Sequence, residues 1–274
     1  MAHYENRYFS KCIFCLKDKE EVGNLTKEHF FGKTIAKTIP TKGNLKLVDG
    51  KKGGSPISNI TLKALCRNCN NVILAEKIMA PVSNTIIELF SGKLEHIPKD
   101  KLGLVKNYFI RLGILVDIAT SNYNVELDAL EKLQFNTNSH LVKFPPIVSD
   151  TERKSFLENF ENPRISVQLA TYKGNNGELG QATIRVSKFQ VGHSPNMKEF
   201  LMVYHSLAFI IIIGDNKKLG TYDGFRNVPN FFYKNELQLP QVNAQQLNSL
   251  FNNSIDNGPK RSRMRQSSHI NISW

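Results

Sequence analysis

The sequence predicts an α+β protein, and three observations support this class. Residues 82–160 carry apolar side chains at helical spacing, most clearly in a stripe from Leu102 to Ala119. From Arg164 onward, apolar residues alternate with polar ones, which is typical of strands. Two C-x-x-C pairs near the N-terminus indicate a further small unit that precedes both regions. We therefore expect a helical segment and a mainly antiparallel sheet behind a cysteine-containing N-terminal unit.

The composition is that of an ordinary globular protein. The chain has 274 residues, of which 41% are hydrophobic and 22% charged, so a wholly disordered or collagen-like chain is excluded. The longest apolar run, Leu207 to Ile213, is far shorter than the roughly 20 residues that cross a bilayer. The N-terminus lacks the apolar core of a signal peptide. We expect a cytoplasmic protein with no membrane contact.

The positive charge is concentrated at the two ends of the chain. The net charge is +12. Residues 1–80 carry twice as many basic as acidic side chains, residues 81–259 are nearly neutral, and residues 260–274 hold four basic residues and no acid. A basic segment is typical of proteins that bind a polyanion, most often nucleic acid, although the same charge also serves solubility.

The cysteines form two matched pairs with none left over: Cys12 with Cys15, and Cys66 with Cys69. Each C-x-x-C turn presents two thiolates, and two such turns complete the tetrahedral set that structural zinc prefers. Disulfides are disfavoured in the cytosol, so the alternative is a redox pair. The two-pair arrangement favours zinc. The 50 residues between Cys15 and Cys66 must contain folded structure.

Between and after the cysteine pairs, three features follow in order. Glu28 and His29 form an acid–histidine pair, and the residues from Asn59 to Leu65 read as a strand that enters Cys66. Helical periodicity begins at Asn70, which is a common type of helix cap. Histidine exchanges a proton near neutral pH. An acid and a histidine adjacent on a strand point to opposite faces, so we expect a bent strand end.

This ordered set resembles the HNH endonucleases, also called His-Me finger or ββα-metal nucleases, over about residues 8–80. The resemblance implies a ββα finger whose four cysteines hold a structural zinc. It also implies that His29 is the general base, and that Glu28 and Asn70 are ligands of one catalytic Mg²⁺ or Mn²⁺, with Asn71 the ligand if the register slips by one. The substrate implied is nucleic acid, DNA more than RNA.

The sequence departs from the family pattern at several positions. The acid is Glu where Asp is commoner, and the helix ligand is Asn where His is frequent. The middle Asn of the family name has two candidates, Asn59 and Asn44. The Lys that often follows the helix ligand is replaced by Ile73, with Lys77 and Lys63 the nearest substitutes.

Basic residues around the motif are candidate contacts to the phosphate backbone, including those of a glycine- and lysine-rich loop at 41–58. The candidates are Lys27, Lys33, Lys51, Lys52, Lys63 and Arg67.

We divide the chain into a nuclease domain at 1–80, an α+β domain at 81–258 and a basic tail at 259–274. In the second domain, Ser149 and Glu152 predict a capping box for a helix to about Phe160, and Asn243 and Gln246 predict a cap for a last helix. Residues 174–177 predict a turn between two strands, and Phe200 to Ile213 predict one buried strand, next to a strand at 181–191.

The second domain has no catalytic constellation. His96, His140 and His193 read as scattered structural residues, and His205, inside the apolar run, reads as a core residue. This domain is a candidate surface for substrate, for a protein partner or for a second copy of the chain. Two other functions are consistent with the same residues, namely a zinc-stabilised nucleic-acid-binding module without hydrolysis and a redox or zinc-sensing regulator.

Overall fold

The computed structural model describes residues 9–39, 61–119, 121, 146–160, 164–173, 182–187, 197–214, 221–229, 235–247, 249–250 and 269–272. Several of the residues discussed above lie outside these ranges, and they are Asn44, Lys51, Lys52, Asn59, His140, residues 174–177 and His193.

The N-terminal region is built around a two-stranded antiparallel sheet. Its elements are α1 (Lys19–Val22), β1 (Thr26–His29), α2 (Lys33–Thr38) and β2 (Thr61–Leu65). Thr26 pairs with Leu65 and His29 with Thr61, so the Glu28–His29 end of β1 lies opposite the start of β2. The register is irregular between Thr26 and Lys27. The irregularity therefore lies on the N-terminal side of the acid–histidine pair, whereas the bend was predicted at the pair itself, where the pairing is regular.

A long helix follows β2 directly. It is π-helical over Asn68–Met79 and continues as the α-helix α3 over Ala80–Ser91. Pro81 lies at the change between the two parts, and it has no backbone N–H to donate to the preceding turn. Fully buried side chains recur every four residues along both parts, and they are Leu74, Ile78, Val82, Ile86 and Phe90.

The central helix of the protein is α4 (Leu102–Ala119). Every side chain from Tyr108 to Ala119 is buried, as expected for a helix that is apolar on all faces. Gly113 faces the sheet so closely that a Cβ atom there would lie 2.8 Å from Ile211. The next helix, α5 (Asp150–Asn159), begins with the predicted capping box, since Ser149 and Glu152 exchange hydrogen bonds.

The remaining strands are β3 (His96–Ile97), β4 (Ile165–Tyr172), β5 (Ala182–Ser187), β6 (Met197–Tyr204), β7 (Leu207–Gly214), β8 (Arg226–Asn227), β9 (Leu237–Gln238), β10 (Gln241–Val242) and β11 (His269–Ile272). Most of them form one seven-stranded sheet, in the order β10-β4-β7-β6-β5-β11 with β8 also paired to β4. All pairs in this sheet are antiparallel except β10 with β4. A separate pair joins β3 to β9.

The α+β class is confirmed, whereas some local predictions are wrong. The single strand predicted from Phe200 to Ile213 is a hairpin of β6 and β7. His205 lies in its turn, exposed and with φ 52°, and is not a core residue. The two strands predicted to flank the turn at 174–177 are β4 and β5, but they are not sheet neighbours, because β7 and β6 lie between them.

Two further predictions about the C-terminal part have clear outcomes. The cap predicted at Asn243 is confirmed, because Asn243 and Gln246 exchange backbone and side-chain hydrogen bonds of 2.9 Å at the start of the helical residues 244–247. In the basic tail, residues 269–272 form strand β11, which pairs with β5 at an edge of the sheet.

One hydrophobic cluster runs from the N-terminal region into the sheet. It includes Phe14, Phe31, Phe90 and Tyr204, and the rings of Phe31 and Tyr204 stack with centroids 5.4 Å apart. The long helix also passes continuously through residue 80. The division into domains at residue 80 stays a prediction, with side chains packed across it. Among the described residues, no helix combines the length and the apolar character that a bilayer crossing requires.

Candidate functional site

The four cysteines form one compact cluster. Cys12 and Cys15 lie on a turn before α1. Cys66 follows β2 directly, and Cys69 lies in the first turn of the long helix. Their sulfur atoms are all within 4.8 Å of one another, and Cys15 Sγ is 3.8 Å from Cys66 Sγ. Four thiolates placed about 2.3 Å from a central zinc have sulfur–sulfur distances of about 3.8 Å. The cluster is therefore compatible with binding a metal such as zinc.

The ionisation of the thiols also favours a metal. A hydrogen bond from Cys69 lowers the pKa of Cys12 to about 5. Burial raises the pKa of Cys15 to about 11, and donation to Cys12 raises the pKa of Cys69 well above its usual range. Without a cation, Cys12 therefore ionises readily while Cys15 and Cys69 stay protonated, and a divalent ion among the sulfurs would favour the ionisation of these two thiols.

The first cysteine turn is held in place from two sides. The Ile13 amide donates to the Ala64 carbonyl over 3.0 Å, which ties the turn to the end of β2. Arg153 of α5 is fully buried, and its Nε donates to the Ile13 carbonyl over 2.9 Å. Cys69 N also donates to Cys66 Sγ at 3.4 Å in the second turn. The cluster is thus fixed by both halves of the protein.

Glu28 forms a buried ion pair with Arg111 of α4. Arg111 Nη2 contacts Glu28 Oε1, and the two side chains are 0% and 11% exposed, respectively. Burial lowers the pKa of Arg111 to about 9, which leaves the guanidinium charged at neutral pH. Among the described residues, Arg111 Nε is a buried donor without an acceptor.

Three main-chain carbonyls at the end of β1 accept hydrogen bonds from the same helix. Arg111 Nη2 donates to His29 O over 2.6 Å and Nη1 to Phe30 O over 2.9 Å. Tyr108 Oη donates to Phe31 O over 3.2 Å. The His29 side chain is half-buried. The acid–histidine pair therefore lies on a main chain that α4 holds from behind.

Asn70 joins the start of the long helix to β1. Its Nδ2 donates to Thr26 Oγ1 over 2.8 Å and to the Lys27 carbonyl over 3.2 Å. The cap predicted at Asn70 is wrong, because the helix begins before it and the side chain reaches across to the strand. Asn71 is exposed. Of the two candidate ligands, Asn70 is therefore the one whose side chain contacts β1, at Lys27, the residue before Glu28.

The described basic candidates lie on the outside of this unit. Lys27 and Lys63 are exposed and are register partners across β1 and β2. Lys33 at the start of α2 and Arg67 in the second cysteine turn are also exposed. The four side chains are open to a polyanion, and the cross-strand lysine pair places two positive charges side by side.

Sequence reasoning missed the residues that hold the site from behind, which are Tyr108, Arg111 and Arg153. A signal for Arg111 was present, since it interrupts an otherwise apolar helical run, and a charge in such a run requires a buried partner. The partner itself is far away in sequence, so no local pattern identifies it.

No known protein family, curated protein or solved structure matches this chain.

Proposed function

We propose that this protein is a metal-dependent endonuclease of the HNH type, in which a structural zinc stabilises the N-terminal region. The observation that carries the proposal is the arrangement of β1, β2 and the long helix. The cysteine cluster lies where the helix leaves β2, and Asn70 of that helix donates to the carbonyl of Lys27, the residue before Glu28. The three residues that the family resemblance selects are Glu28 and His29 on β1 and Asn70 on the long helix, and these two elements are in direct contact.

Each residue then has a distinct chemical task. His29 accepts a proton from the attacking water, which requires an imidazole held in a fixed direction. Glu28 and Asn70 would hold the divalent ion with oxygen ligands, which suit Mg²⁺ or Mn²⁺. Such an ion stabilises negative charge on the phosphate oxygens and the leaving group. Lys27 and Lys63 hold the phosphate backbone on the exposed side of the strands.

The residues present fit a hard divalent ion. A carboxylate ligand is normally hydrogen-bonded on its other oxygen, and Glu28 meets this condition because Arg111 holds Oε1. The Glu28 side chain also retains some exposure, so a ligand can approach it. Asn70 uses its amide nitrogen toward β1, so its oxygen is the atom that would take part in metal binding.

Cleavage of defined substrates tests this proposal. Zinc-loaded protein is incubated with supercoiled plasmid, single-stranded DNA and RNA, each with Mg²⁺, Mn²⁺ or EDTA. We expect metal-dependent cleavage of DNA that His29→Ala abolishes. His96→Ala is the matched control, since His96 is also half-buried but lies on β3 and pairs with Glu236. Cleavage that survives His29→Ala would place the chemistry elsewhere.

A zinc-stabilised module that binds nucleic acid without hydrolysis is the second candidate. One observation favours it, because Arg111 neutralises the Glu28 carboxylate and so lowers its attraction for a divalent ion. Under this function the protein binds DNA, shows no cleavage with either metal, and loses no affinity in His29→Ala. The cleavage experiment therefore separates the two candidates when DNA binding is measured on the same samples.

A further inference from the structure

The described polar contacts of the buried Arg111 all go to the end of β1 and the residue that follows it. Arg111 belongs to α4, outside residues 1–80, and it touches three successive residues of the candidate site. These contacts are the ion pair to Glu28 and the hydrogen bonds to the His29 and Phe30 carbonyls. We propose that Arg111 is a positioning residue that sets the direction of the Glu28 carboxylate and the His29 main chain. This inference rests on the proposed nuclease function.

The contact to Glu28 fixes the position of the carboxylate. Arg111 Nη2 contacts Glu28 Oε1, while the Arg111 Nε has no acceptor among the described residues. The guanidinium therefore does not hold the carboxylate through its Nε edge, and the Glu28 side chain keeps an exposed fraction of 11% from which a ligand can approach. Partners of this kind around a metal ligand change metal affinity or activity by about 10–100-fold.

The carbonyl contacts control the histidine. A hydrogen bond of 2.6 Å to His29 O and one of 2.9 Å to Phe30 O fix the peptide planes on both sides of Phe30. Since the His29 side chain leaves the main chain at the same point, rotation of these planes would move the imidazole. A displacement of about 1 Å at a reacting group costs on the order of 10²-fold in rate.

Lysine cannot perform this task. It keeps the positive charge but provides one nitrogen in place of a planar fork, so it cannot reach a carboxylate and two carbonyls together. Arg111→Lys therefore tests geometry while the buried charge is kept. The matched control is Asp117→Asn on the same helix, because Asp117 is also buried and forms an ion pair, with Lys198 at 2.6 Å. The Asp117 carboxylate accepts hydrogen bonds from Lys198 Nζ over 2.6 Å and from the Val148 amide over 2.8 Å.

The experiment compares wild type, Arg111→Lys and Asp117→Asn, all loaded with zinc. Mn²⁺ affinity is measured by electron paramagnetic resonance, kcat and KM on plasmid DNA, and Tm by calorimetry. In Arg111→Lys we expect Mn²⁺ affinity to fall about 10–100-fold and kcat to fall with KM nearly unchanged. In Asp117→Asn we expect a lower Tm with wild-type Mn²⁺ affinity.

A second measurement on the wild type does not depend on the variants folding. Uniformly ¹⁵N-labelled protein is titrated with Mg²⁺, and the side-chain signal of Arg111 is followed together with the Asn70 amide signal. We expect both signals to shift at the same Mg²⁺ concentration.

Three outcomes decide the inference. Wild-type Mn²⁺ affinity in Arg111→Lys would overturn it, as would an Arg111 signal that stays fixed while that of Asn70 shifts. A wild type that neither binds Mn²⁺ nor cleaves DNA would refute the proposed function, and the inference with it. That last result is distinguishable from a failure of the inference alone, because it appears in the unmodified protein.

Discussion

Replacement of one cysteine should remove a large share of the folding free energy. We consider Cys66→Ser, because Cys66 is only 2% exposed and joins β2 to the long helix. Serine offers a hard oxygen where zinc prefers a soft thiolate, so the variant keeps the size of the side chain and loses the ligand. We expect the variant to fold only weakly and to bind zinc poorly.

The size of the effect follows from the burial of the cluster. Cys12, Cys66 and Cys69 are each at most 2% exposed, so water cannot replace the lost ligand easily. Structural zinc contributes about 10–16 kcal/mol in small domains, which compares with about 5–15 kcal/mol for the stability of a whole protein. Loss of one ligand in four therefore costs at least about 3 kcal/mol. For a chain of this size, that corresponds to a Tm lower by roughly 10 °C.

The damage should also reach beyond residue 80. The ring of Phe14, within the first cysteine turn, lies 6.2 Å from that of Phe156, and Arg153 donates to Ile13. Both partners belong to α5. Hydrogen exchange in Cys66→Ser should therefore increase in the cysteine turns and in α5, with less change in β6 and β7.

Calorimetry and elemental analysis together test the prediction. Wild type should contain one zinc per chain, and a chelator should lower its Tm. Cys66→Ser should contain much less than one zinc per chain, and its Tm should respond less to the chelator. Val82→Ala is the control, since Val82 is fully buried in the same helix and its loss should lower Tm while the chelator response stays. Metal-free wild type with an unchanged Tm would refute the reasoning.

Three further predictions concern single side chains. His29→Ala should lower the cleavage rate by about 10²–10⁴-fold with little change in DNA affinity, measured by gel assay and fluorescence anisotropy; an equal loss of both would point to misfolding instead. Lys106→Met should raise stability at pH 7, because burial lowers the pKa of the Lys106 amine from 10.5 to about 8. The charged Lys106 amine destabilises the folded state below about pH 8, and progressively less between pH 8 and pH 10.5. The gain in the free energy of unfolding of Lys106→Met, measured by urea titration, should therefore be smaller at pH 10 than at pH 7. Lys27→Gln and Lys63→Gln should each flatten the slope of log K against log salt by about 0.9 on duplex DNA if each contacts a phosphate; Lys173→Gln, at an exposed position after β4, should leave the slope unchanged.

Local patterns in the sequence determined much of the secondary structure. The apolar stripe from Leu102 to Ala119 is helix α4, and the capping residues Ser149 and Asn243 begin helices as predicted. The spacing of the cysteines also predicted their meeting in one cluster. These features depend on residues close in sequence, or on side chains of one chemical type that have no other partners, so the sequence alone was sufficient.

Sheet order and turn positions required the tertiary structure. Apolar residues lie on both sides of the turn at His205, so the sequence pattern alone did not reveal the turn. Only the pairing of β6 with β7 shows that His205 is at the surface. The strands β4 and β5 follow each other in sequence but lie apart in the sheet. Strand order depends on which apolar faces pack together over the whole chain, and alternation within a single strand carries no information about its neighbour.

The sequence by itself determined which residues are candidates for the chemistry, namely Glu28, His29, Asn70 and the four cysteines. Only the tertiary structure decided what surrounds them. Arg111 lies more than eighty positions after Glu28 in the chain, yet it holds both Glu28 and the main chain of His29. A buried charge is stable only where another chain segment brings a partner to it. Such a pairing depends on the folded arrangement of helix and strand, and no pattern local to either residue specifies it.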